Sequence, residues 1–426
     1  MAGSLGYAER LSWKEDVGGR LGDPEVLDSG DLASCPKLAE LVRLVQRAER
    51  VVVHTGAGVS TAAGIPDFRG PQGVWTLQKA GQPLPSASCA FDRARPTLTH
   101  QALVALQRAG KLSYLVSCNV DCLHQRSGYP RALLAELHGN CFAERCERCG
   151  CEAVRDFEQT TVGFRRTGRA CTRCGGPCRD QVLDWDDPLP PAELALAERH
   201  SSEAQLTLTL GTSLQIHPAC QLPLRTLKAG GKLVIVNLQP TPKDKHASLV
   251  IRRRADDVLR VLMSALGLAI PPFVRHDSVR VRHVAGNGSA RGGTAFTLHV
   301  QSQHGAACPV PWLQSAWVRF PDGDATIAAA QGKRRRDAAA TEELDADGVT
   351  WHALVGERAP WRLKGTATPA PGETLRTKLR CLVRLVYAVG ATEAPAVREH
   401  VLDLKEKERD REGALLTVCT TRVDYA

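Results

Sequence analysis

Hydrophobic positions follow two different periods along this chain, and the change from one to the other divides it. From Pro36, the apolar residues Leu38, Leu41, Val42, Val45 and Ala48 recur at helical spacing and lead into Val51-Val52-Val53, a β-branched run of the kind buried on both faces of a parallel sheet. Similar runs at Leu112–Val116, Leu206–Leu210 and Leu233–Val236 are separated by stretches long enough for helices, and Val258–Leu266 is again amphipathic. This alternation predicts an α/β fold, a Rossmann-like doubly wound parallel sheet. After Pro271-Pro272 the period becomes two. Val279-Arg280-Val281-Arg282, Phe296-Leu298-Val300 and Leu416-Val418 alternate, and so does a long row of Leu375, Thr377, Leu379, Cys381, Val383, Leu385 and Tyr387 interleaved with Arg376, Lys378, Arg380 and Arg384. Short strands between Gly/Pro turns predict a β-rich, sandwich-like domain. The basic residues of the long row suit either a solvated strand face or one that meets nucleic acid or an acidic partner. The expected division is a covering arm over 1–36, an α/β domain over 37–275 with a small lobe near 139–182, and a C-terminal accessory domain over 276–426.

Composition narrows the class of protein. With 426 residues, 43% apolar and 24% charged, the chain can bury a sizeable core. A formal charge of +9 tilts expectation toward acidic partners, including chromatin or DNA. No apolar run approaches the roughly 20 residues of a membrane span, so no membrane partner is expected. The first residues include Glu9, Glu15 and Asp16 and no apolar core, unlike a secretory signal. The fifteen cysteines are therefore read as thiols or metal ligands rather than as a disulfide framework. Lys333-Arg334-Arg335-Arg336 has the pattern of a nuclear-localisation cluster.

Candidate chemistry sits at the ends of the predicted strands, where open α/β sheets bind ligands. Gly56, Ala57 and Gly58 remove bulk where a backbone could approach a pyrophosphate, and Ser60 and Thr61 open the next segment. A dinucleotide is the natural ligand. The dehydrogenase fingerprint is excluded, because its third glycine would fall where Thr61 stands. Asn119, Gly211 and Asn237 follow the other strands. In the lobe, Cys146-x-x-Cys149 and Cys171-x-x-Cys174 lie twenty-one residues apart, the spacing of a closed, structural zinc site with four cysteine ligands. Cys151 and Cys178 stand near enough to replace a neighbour.

The run Gly56-Ala57-Gly58-Val59-Ser60-Thr61, continued by Gly64-Ile65-Pro66-Asp67-Phe68-Arg69-Gly70, resembles the sirtuin family of NAD-dependent protein deacylases. Trp75, Asn119-Val120-Asp121, His138-Gly139-Asn140, the two CxxC pairs, Gly211-Thr212-Ser213 and Asn237-Leu238-Gln239 extend the resemblance over roughly residues 7–275. Leu183-Asp184-Trp185-Asp186-Asp187-Pro188 is similar to the nuclear, chromatin-associated class IV branch, and Tyr7-Ala8-Glu9-Arg10-Leu11-Ser12 to its plant-type members. The resemblance implies NAD as cofactor, one structural zinc and His138 as general base. It implies NAD contacts from Gly56, Ala57, Gly58, Ser60, Thr61, Asp67, Phe68, Arg69, Trp75, Cys118, Asn119, Asp121, His138, Gly211, Thr212, Ser213, Asn237, Leu238, Gln239 and Ala255. Asp67 and Arg69 would lie beside the nicotinamide end and the phosphates, or else form a plain surface ion pair. The implied substrate is an acyl-lysine protein, such as a histone tail in the nucleus, with Trp185 along the acyl channel and Asp184, Asp186 and Asp187 drawing a basic peptide. The implied products are free lysine, nicotinamide and O-acyl-ADP-ribose.

Two positions depart from the family pattern. Where relatives usually read Gln-Asn-x-Asp-Gly, this chain has Cys118-Asn119-Val120-Asp121-Cys122, so a ribose-binding amide becomes a thiol and a glycine becomes Cys122. A chromatin scaffold that holds NAD but turns over weakly, or a mono-ADP-ribosyltransferase working from the same pocket, are the alternative readings. Cys118 as an oxidisable brake is a third.

Overall fold

The structure is a computed structural model. It describes residues 7–84 save 13, 15 and 33, residues 91–288, residues 294–320 save 307, and, beyond these, 325–326, 342–344, 350–354, 361–367, 378–387, 396–403 and 414–425. The basic cluster Lys333–Arg336 and the first two positions of the long alternating row, Leu375 and Thr377, lie outside the described residues. By contact the chain divides into a unit of Met1–Phe273 with Val423–Ala426 and a unit of Val274–Arg422.

The first unit is built on six parallel strands: β1 (Val51–Thr55), β2 (Tyr114–Ser117), β3 (Leu134–Glu136), and then, after an excursion, β8 (Leu206–Leu210), β9 (Lys232–Val236) and β10 (Leu249–Ile251). Their order is β10-β9-β8-β1-β2-β3, every pairing parallel, with the direction of progression reversing between β1 and β8. At such a reversal the loops leaving the two strands diverge and open a crevice. Helices α1 (Tyr7–Arg10), α2 (Pro36–Arg47), α3 (Val74–Lys79), α4 (Leu98–Arg108), α5 (Leu123–Arg126), α6 (Pro191–Glu203), α7 (Leu222–Lys228) and α8 (Ala255–Ala265) accompany the sheet. α2 buries Leu38, Leu41 and Val45 of the expected stripe and Leu44 beside them, while Val42 and the C-cap Ala48 are half-buried, and Pro36 at its first turn loses no intrahelical bond. β1 and β8 are buried along their whole length, which is why they read as continuous apolar or β-branched runs. The strand expected at Leu112–Val116 runs from Tyr114 to Ser117 instead, since Leu112 still packs in the core below the loop that closes α4.

The excursion between β3 and β8 is a four-stranded antiparallel sheet of order β5-β4-β7-β6, from β4 (Gly139–Cys146), β5 (Glu152–Val154), β6 (Arg166–Ala170) and β7 (Pro177–Val182). Glu144 is fully buried there between Arg155 (3.2 Å) and Arg169.

Among the described residues, the second unit has ten strands in two five-stranded sheets, with antiparallel pairing in each. One has the order β14-β17-β12-β11-β20 and the other β15-β16-β13-β18-β19. Their ranges are β11 (Phe273–Gly288), β12 (Thr294–Ser302), β13 (Leu313–Arg319), β14 (Ala325–Thr326), β15 (Glu342–Leu344), β16 (Thr350–Ala353), β17 (Trp361–Ala367), β18 (Lys378–Tyr387), β19 (Ala396–Asp403) and β20 (Ala414–Val423). Val279, Val281, Phe296, Leu298 and Val300 of the first sheet and Ala316, Val318, Cys381, Val383 and Leu385 of the second share one buried cluster, which makes the unit a β-sandwich. After β20 the chain returns to the first unit, where Tyr425 packs on the core of the parallel sheet and its hydroxyl donates to the Pro96 carbonyl.

Candidate active site

A cleft of about 470 Å³ opens at the carboxyl ends of β1, β2, β8 and β9. Its floor forms where the loops after β1 and β8 meet backbone to backbone. The Gly58 N–H donates to the Gly211 carbonyl (2.9 Å), and the Gly56 N–H to that of Leu210 (3.2 Å). A Cβ added at Gly56 would stand 2.7 Å from Thr212, and one at Gly58 would stand 2.8 Å from the Gly211 Cα. The two glycines thus answer first to this loop packing, which places an uncluttered surface before whatever ligand lies above it. No regular α-helix follows the turn directly. Two 3-10 turns, Ala57–Val59 and Thr61–Ala63, end at Gly64 in the left-handed region (φ 82°), and Pro66 prevents a restart.

Beside the floor is a smaller pocket of about 50 Å³, walled by Ser60, Ile65, Pro66, Phe68, Asn119 and Asp121. The Ser60 hydroxyl donates to Asp121 Oδ2 (2.6 Å) and accepts from Asn119 Nδ2 (3.2 Å), while Asp121 Oδ1 accepts the Leu123 N–H (2.9 Å). This chain of bonds fixes three side chains from two separate loops. Cys122 supports the turn with a backbone in the left-handed region (φ 65°), which costs a non-glycine residue about 1–2 kcal/mol.

His138 lies on the wall of the large cleft, just past β3. Its Nδ1 is 3.0 Å from the Cys118 carbonyl oxygen. A carbonyl only accepts, so Nδ1 carries the proton and Nε2 keeps its lone pair. Burial lowers the pKa of His138 below the usual 6.5, and the bond to Cys118 opposes this in part. Cys118 lines the same cleft, and desolvation pushes its thiol up to about 12. A thiol so held is protonated at neutral pH, which removes the thiolate that an oxidisable brake requires.

The opposite wall is aromatic. Phe68 packs on Trp75 with centroids 4.6 Å apart, and Trp75 packs on Trp185 at 4.9 Å. Asp67 and Arg69 point to different partners rather than to each other. Burial raises the Asp67 pKa although its carboxylate accepts the Gly70 N–H (3.1 Å), and Arg69 donates to the carbonyls of Gly18 (2.6 Å) and Val17 (3.1 Å). The N-terminal arm is thereby tied across the cleft, and Tyr7, Leu11, Arg20 and Asp23 become part of its lining. Nothing in the arm's spacing announces this. Asp184 accepts from the Ser12 N–H (3.0 Å) and hydroxyl (2.5 Å), so the carboxylate expected to draw a substrate already has a partner in the arm.

Thr212, Ser213, Asn237 and Gln239 also line the cleft. Arg252 holds the last two in place, donating to the carbonyls of Asn237 and Gln239 (3.0 Å each) and pairing with Asp244. Three residues expected at the cofactor line neither pocket. Thr61 is exposed and turns back to the Gly58 carbonyl (3.2 Å). Leu238 lies off the cleft lining, and its carbonyl receives the Val26 N–H (3.0 Å). Ala255 is buried in the core at the start of α8. Spacing also missed His54 on β1 and Cys220, both of which face the cleft.

In the lobe the sulfurs of Cys146, Cys149, Cys171 and Cys174 all lie within 4.8 Å of one another, with Cys146 to Cys174 at 3.4 Å and Cys149 to Cys171 at 3.8 Å. A tetrahedral zinc with Zn–S bonds near 2.3 Å needs sulfurs about 3.8 Å apart, so this donor set fits zinc and leaves no open position. Cys151 and Cys178 pack beside the four without joining them; the Cys151 thiol points to the Glu152 carbonyl.

Parallel sheet, reversal-point cleft and four-thiolate lobe together define a Rossmann-like nucleotide-binding protein with a structural zinc. The Sir2 family model matches residues 86–218. The chain is 51% identical over 321 residues to the NAD-dependent protein deacetylase SRT1 of Arabidopsis thaliana, an alignment covering 75% of this chain and 67% of that protein. It is 46% identical over 279 residues to the NAD-dependent protein deacetylase Sirt6 of Drosophila melanogaster, covering 63% and 87% respectively. A solved Sir2 structure bound to acetylated peptide aligns over 54% of this chain and 98% of its own, with 31% identity and a TM-score of 0.42. On the strength of the sequence relatives, the chain belongs to the Sir2 family, the sirtuins.

Proposed function

We propose that this chain is an NAD-dependent protein-lysine deacylase that acts in the nucleus on acyl-lysine in basic segments such as histone tails. One observation carries the reading. His138 faces the cleft with its proton fixed on Nδ1 by the Cys118 carbonyl (3.0 Å), beside the Ser60–Asp121–Asn119 set and opposite the aromatic wall. NAD, when bound, supplies a ribose carbon that gives up nicotinamide and a ribose hydroxyl that accepts the acyl group.

The residues then divide the work. Gly56, Ala57, Gly58, Gly211, Thr212 and Ser213 present backbone to the phosphates, and Asn237 and Gln239 border the far nucleoside. Asn119 and Asp121, locked through Ser60, orient the ribose end, and Phe68 closes the small pocket against returning nicotinamide. His138 Nε2 takes the proton of the accepting hydroxyl. Its depressed pKa keeps it neutral, and so competent as a base, throughout the neutral range. Trp75 and Trp185 exclude water along the acyl chain. The nuclear assignment is supported by the +9 charge and the Lys333–Arg336 pattern.

The test is nicotinamide release by purified protein with NAD, with and without an acetyl-lysine peptide. Release that depends on the acyl peptide supports the reading. Release at the same rate without it would favour plain NAD cleavage or ADP-ribosyl transfer.

A further inference from the structure

The N-terminal arm, which opens with the short helix α1, contributes residues to the cleft lining and bonds to its edge. Its residues engage the segment after β7 in parallel order: Tyr7 Oη donates to the Leu183 carbonyl (3.2 Å), Ser12 meets Asp184, and Lys14 meets Trp185 and Asp186. The ammonium of Lys14 stands 5.4 Å from the Trp185 ring centroid and 3.2 Å from Asp186 Oδ1. Trp185 is itself a wall of the cleft, 4.9 Å from Trp75. On the far side of Lys14 the arm is anchored again, by Arg69 on the carbonyls of Val17 and Gly18 and by the Arg20 N–H on Gln215. A lysine is therefore suspended at the cleft mouth between two fixed points, and neither fixed point depends on its charge.

We propose that Lys14 is an intramolecular substrate of this cleft: when its Nζ is acylated, the chain removes the acyl group from itself. The proposal rests on the deacylase reading. The hold on the charged side chain is weak, since Lys14 is 40% and Asp186 93% exposed, and pairs of that kind contribute little. Acylation abolishes the ammonium, which loses both the ion pair and the ring contact, and removes the cost of taking a charge out of water. The neutral amide is then free to enter a cleft walled by Trp75, Trp185 and Leu189. Tethering on both sides makes the encounter unimolecular, so an acyl-Lys14 outcompetes peptides at ordinary concentrations. The step balances without an oxidant. The amide C–N bond and the glycosidic bond of NAD break, an ester to ADP-ribose forms, and water supplies one oxygen and two protons. The positive charge of the pyridinium reappears on the released ammonium.

The experiment uses the full chain carrying acetyl-lysine at position 14, incubated with NAD and an acetyl-lysine peptide and followed by intact mass. The expected result is NAD-dependent loss of the acetyl group with a rate constant unchanged over a tenfold dilution of protein. Ser12→Ala, which loosens one anchor, slows this loss several-fold relative to turnover of the peptide in the same tube. Peptide deacylation while position 14 keeps its acetyl group overturns the proposal and leaves the deacylase reading standing. A rate that falls in proportion to dilution also overturns it, because the reaction is then between molecules. If neither position 14 nor the peptide loses its acetyl group, the deacylase reading fails, and this proposal fails with it.

Discussion

Two sets of cysteines in the first unit have the same side chain and opposite chemistry. In the lobe, Cys146 and Cys171 each receive backbone N–H bonds from the residues that follow, from Cys149 and Arg148 in one knuckle and from Cys174 and Arg173 in the other, and these lower their pKa values; Cys149, although it accepts the Cys151 N–H, is pushed up to about 12 by the crowding thiols of Cys174, Cys146 and Cys171. Gly150 and Gly175, both at positive φ, allow the knuckles to fold around the sulfur. Away from the metal, Cys118 on the cleft wall and Cys122, buried beside Cys141 and Phe142, are desolvated and pushed up to about 12. Thiolates pointed at by N–H groups bind metal, whereas desolvated thiols stay protonated. The lesson is that Cys118 and Cys122 alter the site through shape and missing hydrogen bonds, not through redox chemistry.

That contrast is broken most severely at the metal. Cys146→Ser or Cys171→Ser should drop zinc well below one per chain and unfold the lobe, because zinc binding is part of folding there. Cys151→Ser and Cys178→Ser should keep full zinc by metal analysis. Next in size, His138→Ala should lose about a hundredfold or more in kcat while still binding NAD by calorimetry. The unaltered enzyme should show the matching pH profile. With the pKa lowered, the base stays neutral on the alkaline side, so kcat/KM should hold level as pH falls through 6.5 and decline only below it. A profile already falling at pH 7 would mean a base with a normal or raised pKa.

Smaller effects come from the two unusual cysteines. Cys118→Gln restores an amide donor to the ribose wall and should raise kcat/KM about tenfold, equivalent to roughly 1.4 kcal/mol. Iodoacetamide at pH 8 should leave Cys118 and Cys122 unlabelled in the folded protein, whereas rapid labelling of either would restore the redox reading. Cys122→Gly should change least. Relief of about 1–2 kcal/mol of left-handed strain is offset by lost thiol burial and by the greater entropy of the unfolded chain, so Tm should move only a few degrees.

What could be read in advance follows the same division. Buried parallel strands are rich in apolar and β-branched residues, so β1, β8 and β9 were legible, and the CxxC spacing reports a metal because both knuckles are local. The left-handed turn at Cys122 was legible as a missing glycine. The arm was not: Ser12, Lys14 and Arg20 meet partners more than a hundred residues away, Val17 and Gly18 meet Arg69, and no local period encodes such contacts. Ala255 and Leu238 were expected at the cofactor through family resemblance alone, and neither lines the cleft: Ala255 is buried at the start of α8, and Leu238 lies between the lining residues Asn237 and Gln239. The β-sandwich was visible as period two, whereas the return of Tyr425 to the parallel sheet's core depends on a single aromatic residue.

The central claim is that this cleft moves an acyl group from lysine to ADP-ribose with His138 as base. Mass spectrometry of acetyl- and myristoyl-lysine histone-tail peptides, incubated with NAD and either the parent chain or His138→Ala, tests it most directly. The account predicts free-lysine peptide and O-acyl-ADP-ribose in equal amounts from the parent, none without NAD, and about a hundredth or less from the variant. Peptide left acylated by the parent, or equal product from both proteins, would contradict it.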